Sequence, residues 1–562
     1  MPETGSESIV STPPILDRAR SNPPRSNPPR SNPSWSNPSW SNRIASHRAW
    51  SLLLGLGLPL LAIAWLGQDS NWDLHNYHLY GPHAWLHGRL SLDIAPAQLQ
   101  SWHNPLLDVP LYLMVRAGWH GILASLWLTL PMMLALYSVL RLHVRLGDGK
   151  VHIAGSLTLA LMAISGAAVY AELGTSFNDV FVAAGVLAAL CCVLRSDSRP
   201  DRLRFWCLAG VLAGTTAGLK LTASMYCFGL AGAALCVSPL SQSPRRLLAL
   251  LVGGLLGLAL TYGYWAWTLI HLHGNPFFPY FNQIFHSPDA PLLGNSDPRF
   301  KVATLRDALL APVRLLGKTH RFSEMDIRDP RLFLGAIAFA LLFWRARRTA
   351  DSAAHSAANR LRLVAGFFFV SFLVWVFQFG VYRYVLALEL LACLGMVLVL
   401  QRLARPWRNI AFAVAAVVVI GLTYPASWGR TAFTRPMVLV QMPTLPAHSL
   451  VVMSSALPLA YSLIALPDDV PAISIYNNFM RPDRCTAMQL RAERRIATHR
   501  GPLWLLRSAD KQDDEGQQLA GQFYGLVAAA ACQSVPTSFG ELRLCPLRRE
   551  THPAVLCVVP AP

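Results

Sequence analysis

The sequence predicts a mainly α, polytopic membrane protein of about eleven transmembrane helices with a small α/β domain after them. Three observations carry this. Of 562 residues, 53% are hydrophobic and only 14% are charged, where an ordinary soluble domain carries about 25% charged residues; mean hydropathy is +0.35. Apolar runs of crossing length recur from residue 49 to 424, and the basic residues fall in alternate connectors between them. From residue 425 the apolar runs shorten and charges return. The net charge of +18 does not point to nucleic acid, because Lys and Arg are spread through short connectors rather than gathered on one soluble module.

Residues 1–48 contain the repeat SNPPR-SNPPR-SNPSW-SNPSW-SN from Ser21 to Asn42. Proline at this density blocks helix and sheet, which predicts a disordered tail, either a docking site for a proline-motif partner or an inert cytoplasmic extension. The first apolar run starts near Trp50, too far into the chain for a cleavable signal peptide.

A helix crossing about 30 Å of hydrocarbon needs about 20 apolar residues. By that measure the spans fall near 49–67, 119–140, 151–170, 179–194, 205–219, 221–239, 247–269, 331–344, 363–380, 384–401 and 409–424. The segment 105–118 is apolar but short and reads as interfacial or re-entrant. Basic residues set the orientation. Arg18 to Arg48, Arg141 to Lys150, Arg195 to Arg204, Arg245 and Arg246, Arg345 to Arg362, and Arg402 to Arg408 occupy one set of connectors. The short connectors of the other set hold little beyond Arg89, Lys220 and Arg383. This places the N-terminus in the cytoplasm and, with an odd number of spans, the C-terminus in the periplasm of a bacterial inner membrane.

Residues 425–562 alternate strand-like runs (MVLVQM, SLVVMSS, AISIY, PLWLLRS) with helix-like stretches, the pattern of an α/β unit. Cys485, Cys532, Cys545 and Cys557 all lie here. An even number in an oxidising compartment suggests disulfides, with three connectivities open, or else some buried free thiols.

The chemistry is expected on the periplasmic side. The loop 68–108 holds Asp69, Asp73, Asp93 and Asp108 with His75, His78, His83, His87 and His103, together with Trp and Tyr. Carboxylates and imidazoles can bind a divalent cation or move a proton, and aromatic rings can stack on sugars. The spacings Asp73–Tyr77 and His75–His78 would put these residues on shared helix faces; no closed zinc pattern appears. An interfacial helix rich in Trp, Tyr and His is the alternative. In the next loop, Glu172 and Asp179 sit at or just above membrane depth, as functional groups or as helix caps. Lys220 and Arg383 are scarce cations at the outer boundary, suited to a lipid phosphate or to simple snorkelling. The loop 270–330 opens with an aromatic, Pro-rich stretch apt to lie on the membrane. It closes with a charged run from Arg321 to Arg331. There Glu324 and Arg328 can hold a donor or acceptor headgroup, or pair within the loop.

An acidic residue at the start of a large loop after the first span (Asn71 to His78), then Gly88–Leu90, Asn104–Pro105 and a second acidic loop (Glu172 to Asp179), resembles the GT-C superfamily of integral-membrane glycosyltransferases. The phrases GLKLTA, GNPFFPYFN and YRY are similar to its poorly characterised bacterial members. The resemblance covers about 49–424. It implies a polyprenyl-phosphate-linked sugar donor, membrane lipid around the enzyme, and a glycan, lipid or protein acceptor. It implies Asp73 as catalytic base or metal ligand, and Lys220 and Arg383 on the lipid phosphate. His78 and Glu172 join Asp73 as catalytic candidates; Tyr77, His75, Asp179, Glu324 and Arg328 join the cations as substrate-binding candidates. The loop has no tight Asp-x-Asp or Glu-x-Asp pair, which leaves the divalent cation open. A lipid-linked glycan flippase and a non-catalytic envelope-assembly scaffold are the rival functions. A flippase should show an internal repeat and charged mid-membrane helices, and neither is evident.

Overall fold

All eleven apolar stretches are helical in the computed structural model, which describes residues 38–147, 151–195, 202–237, 239–292, 298–347, 352–481, 485–510 and 514–550. The repeat tail up to residue 37, Lys150, Arg199, Arg348 and Cys557 lie outside the described residues. The helices are α1 (Pro38–Leu66), α2 (Tyr80–Leu86), α3 (Val109–Arg116), α4 (Gly121–Leu146), α5 (Ile153–Ile164), α6 (Ala167–Glu172) and α7 (Asp179–Val193). They continue with α8 (Arg202–Leu219), α9 (Ser224–Leu235), α10 (Ser243–His273), α11 (Asn282–Phe285), α12 (Leu305–Arg314) and α13 (Arg331–Arg347). The last of the apolar part are α14 (Ser352–Gln378), α15 (Leu386–Leu400) and α16 (Arg405–Leu422).

Six of the described helices are long and apolar enough to cross a membrane: those at 47–66, 121–146, 240–273, 356–378, 382–400 and 405–422. The stretch read as one span over 151–170 is broken at Ser165–Gly166 into α5 and α6. The helices at 153–164, 179–193 and 221–235 are apolar but shorter. The short segment 105–118 folds as a 3-10 turn (Leu106–Asp108) and α3.

Burial follows composition. In α15 every residue from Leu386 to Leu398 is buried, so it forms the axis of the bundle. α8 and α10 approach closely through small residues; a Cβ on Gly214 would lie 2.0 Å from the Gly254 carbonyl oxygen. That contact fixes the end of α8, where Lys220 follows.

After α16 the chain pairs Arg430–Thr431 (β2) antiparallel with Gln68–Asp69 (β1), at the root of the first loop. It then forms a six-stranded sheet of β3 (Leu450–Ser454), β4 (Ala472–Tyr476), β5 (Leu503–Ser508), β6 (Leu526–Ala528), β7 (Gln533–Thr537) and β8 (Gly540–Arg549). The order is β4-β3-β5-β8-β6, with β7 also on β8. β3 pairs parallel with β4 and β5, whereas β8 runs antiparallel to β5. The amphipathic helices α17 (Ala487–Thr498) and α18 (Asp514–Tyr524) complete the α/β unit. The β7–β8 register pairs Gln533 with Leu544, so Cys532 falls opposite Cys545, and the two form a disulfide.

The first loop is packed between bundle and sheet. Leu74, Leu79, Tyr80 and Ala84 share one core with Val451, Met453, Tyr461 and Leu463. Arg89 makes a bidentate pair with Asp93 at 2.9 Å and donates to the carbonyls of Pro467, Asp468 and Val470. Asp93 in turn accepts from the Ala472 amide and the Tyr80 hydroxyl. This network clamps the loop to the β4 edge.

Candidate active site

Three helix ends meet beneath the first loop. α7 starts at Asp179, α8 ends at Leu219 just before Lys220, and a 3-10 turn (Tyr382–Val385) leads Arg383 into α15. The first loop delivers Asp73 at the head of a single π-turn, Leu74–His78. Asn71 starts that turn by accepting from the Leu74 amide at 2.7 Å. Asp69 holds both loops in place, accepting from the amides of Asn71 and Ser176.

The side chains form one buried charge network. Arg383 Nη1 lies 3.0 Å from Asp73 Oδ2 and 3.4 Å from Asp179 Oδ2. Lys220 Nζ lies 2.6 Å from Asp179 Oδ1 and donates to the Phe177 carbonyl. The Arg383 guanidinium also sits over the rings of Phe177 and Tyr384. Tyr77 donates to Asp73 Oδ2 at 3.4 Å. Arg383 and Lys220 keep 12% and 15% of their side-chain surface, so the network can still be reached from solvent.

A second pair adjoins it. His78 Nδ1 lies 2.9 Å from Asp108 Oδ1, a close contact whose geometry is not that of a hydrogen bond. Asp108 is fixed by Asn178 Nδ2 at 2.7 Å. Asn178 adopts a left-handed conformation (φ 65°) that Asn tolerates better than most residues. His78 Nε2 is buried and has no hydrogen-bond partner among the described residues. His103, edge-on to Tyr77 at 5.0 Å, lies 3.1 Å from the Tyr280 hydroxyl.

The network sets the protonation states. Burial opposes charge on Asp73, but Arg383, His78, Lys220 and His103 outweigh it and hold the carboxyl below its usual range. Burial pushes His103 down to about 4, against the pull of Asp73. Glu172 is the opposite case. Burial, then the neighbouring Asp179 charge, push its carboxyl well above the ordinary range, and neither of its oxygens has a partner among the described residues.

Of the residues singled out from sequence, Asp73, Tyr77, His78, Asp179, Lys220 and Arg383 come together. Asp179 begins α7, with no side chain capping that helix. Glu172 is fully buried beside the network. His75 is carried elsewhere: its ring packs on Phe539 at 4.1 Å and Tyr461 at 5.3 Å, in the C-terminal unit. The α-helical spacing that paired His75 with His78 fails because the wider π-turn sends them to different sides. Glu324 is exposed, yet close enough for its charge to act on Arg383. Arg328 is engaged with the Leu422 carbonyl at 2.6 Å. Around it, Arg331 pairs with Asp329 within the charged run, and Asp326 pairs with Lys318 and His320 just before the run.

Asp108 and Asn178 were not singled out. Asp108 stood among four loop aspartates with nothing local to distinguish it. Among the described residues no group of three or more His, Cys, Asp or Glu is arranged to hold a metal ion. The carboxylates of Asp73, Asp179 and Asp108 face Arg383, Lys220, His78 and Asn178 instead, a donor set that does not fit a divalent cation.

No family model matches the chain, and no curated protein matches it. Among solved structures, the apo form of an Archaeoglobus fulgidus oligosaccharyltransferase is similar. It shares 12% identity, covers 87% of this chain and 72% of that chain, and has a TM-score of 0.44.

Proposed function

We propose that the protein is a GT-C-type glycosyltransferase that moves a sugar from a polyprenyl-phosphate-linked donor to a hydroxyl-bearing glycan, lipid or protein acceptor. The observation that carries this reading is the buried but reachable pairing of Arg383 and Lys220 with Asp73 and Asp179 at converging helix ends. Two adjacent cations at the end of a membrane bundle suit a lipid phosphate, and a carboxylate and an imidazole beside them suit an attacking hydroxyl. The Lys and Arg pattern of the connectors supports eleven crossings, a cytoplasmic N-terminus and a site on the periplasmic face of a bacterial inner membrane.

In the proposed step the acceptor oxygen attacks the anomeric carbon. The bond from that carbon to the phosphate oxygen breaks, and its electron pair leaves on the phosphate. Arg383 and Lys220 take up that charge, releasing part of their hold on Asp73 and Asp179. Asp73, kept ionised by its cations, is a weak base and serves to orient the acceptor hydroxyl. The hydroxyl proton passes to His78 Nε2, with Asp108 behind the ring. Glu172, held protonated, is placed by this reading outside the proton transfer.

The test is transfer of radiolabelled sugar from polyprenyl-phosphate donors by the purified protein and its Asp73→Asn variant. Transfer by the native chain, with loss of about 10²-fold or more in a folded variant, is expected. No transfer from any donor by folded native protein would move the weight to lipid-linked glycan transport.

A further inference from the structure

Helix α12 presents three faces rather than two. With 3.6 residues per turn, Ala308, Ala311, Pro312 and Leu315 fall together, and all four are buried against the protein. The neighbouring face carries Leu305, Leu309, Val313 and Leu316, exposed by 61%, 64%, 44% and 39%. The third face carries Asp307 and Arg314, paired at 2.6 Å, with Leu310 exposed by 38% beside them, and exposed Arg306 stands at the border between the last two. A helix in bulk water gains nothing by exposing four large aliphatic side chains on one stripe. A helix lying along the hydrocarbon–headgroup boundary does gain, because it meets protein, acyl chains and water on separate faces.

The depth of α12 agrees. The chain before it is tied to the end of α14, with the Val302 amide donating to the Val376 carbonyl. The chain after it is tied to the start of α13, with the Asp329 amide donating to the Leu315 carbonyl. Arg328 and Tyr424 exchange backbone hydrogen bonds just beyond the end of α16. The ends of the crossing-length helices α14 and α16 and the start of α13 thus lie at the level of α12. Lys318, over the ring of Tyr424, adds a cation at the same level.

We infer that α12 is an interfacial helix whose Leu305–Leu309–Val313 face is seated among lipid acyl chains, on the membrane face that carries the candidate site. The inference does not rest on the transfer reaction. It does bear on the site: the loop that follows α12 passes through Phe322, whose carbonyl accepts the Tyr382 amide at 2.6 Å, one residue from Arg383. Lipid seating would therefore steady the backing of Arg383.

The test is photo-crosslinking of the full chain in phosphatidylethanolamine–phosphatidylglycerol vesicles, with p-benzoylphenylalanine placed singly at 309, at 314, and at 255 as a reference on the exposed side of α10. Phospholipid adducts by mass at 309 and 255, with loss of the adduct at 314, are expected. Adducts at 255 but none at 309 would overturn the inference. So would equal adducts at 309 and 314, or crosslinking of 309 to a second copy of the chain in place of lipid.

Discussion

The two halves of the first loop use the same residue types to opposite ends. In the second half, Arg89 and Asp93 satisfy each other and four backbone groups of the C-terminal unit, and Arg89 is fully buried. In the first half, Asp73 shares the Arg383 guanidinium with Asp179, and His78 has both ring nitrogens without a hydrogen bond among the described residues. A closed network of this kind holds structure, since every donor and acceptor is matched. An open one leaves capacity for something not yet bound. The contrast separates clamp from site better than residue identity does.

The sharpest way to break the contrast is to exchange the two losses. Asp73→Asn should cost about 10²-fold or more in transfer while lowering the thermal midpoint at neutral pH by less than Arg89→Ala does. Because the native carboxyl is held below its usual range, Asp73 contributes stability that is present above the unfolded carboxylate pKa and is lost as pH falls through the folded value. The variant should therefore show a flatter acid limb in its stability profile. Arg89→Ala should do the reverse. It leaves Asp93 buried without its cation and strips the donor from three carbonyls, at a cost of about 3–5 kcal/mol, while the protein that stays folded keeps its transfer rate. Thermal unfolding and per-molecule transfer on the same samples decide it; a large midpoint loss in Asp73→Asn would erase the distinction.

A smaller effect tests the Asp108–His78 pair. Asp108→Asn should lower kcat by about 10²-fold, the scale set by misplacing a reacting group by about 1 Å, with KM nearly unchanged. Asp108→Glu should recover part of the loss. A fall in KM and kcat together, without rescue, would make Asp108 a packing residue and return the contrast to Asp73 alone.

Much of this arrangement was legible because the membrane makes charge conspicuous. Lys220, Arg383 and Asp179 stand out in sequence as ionisable groups at the edges of apolar runs, and the structure puts all three in one network. The strand and helix alternation after residue 425 appears as a mixed sheet with two amphipathic helices. What could not be read was long-range. His75 left the network because a π-turn replaced the α-helical spacing. Asp108 is joined to it by His78 and by Asn178, the latter 70 positions away. The Arg89 clamp reaches carbonyls 378 to 381 positions away, and carbonyls carry no sequence signal. The helix break at Ser165–Gly166 was not legible either, because apolar character continues from α5 into α6.

The smallest expected effect concerns Glu172, which sequence alone grouped with Asp73. Glu172→Gln keeps the shape and the neutral state of the native side chain, so transfer should change little. The consequence lies in stability against pH. Burial and the Asp179 charge keep the folded-state carboxyl protonated, while the unfolded chain releases that proton as pH rises past the ordinary Glu value. The native state then binds one more proton than the unfolded state, and native stability falls as pH rises, by at most about 1.4 kcal/mol per pH unit. Gln has no proton to lose. The variant should match the native protein below about pH 4 and gain on it steadily above about pH 5, read as a rising difference in thermal midpoint. A transfer loss comparable to that of Asp73→Asn would instead place Glu172 in the proton path and redraw the border between the two regions.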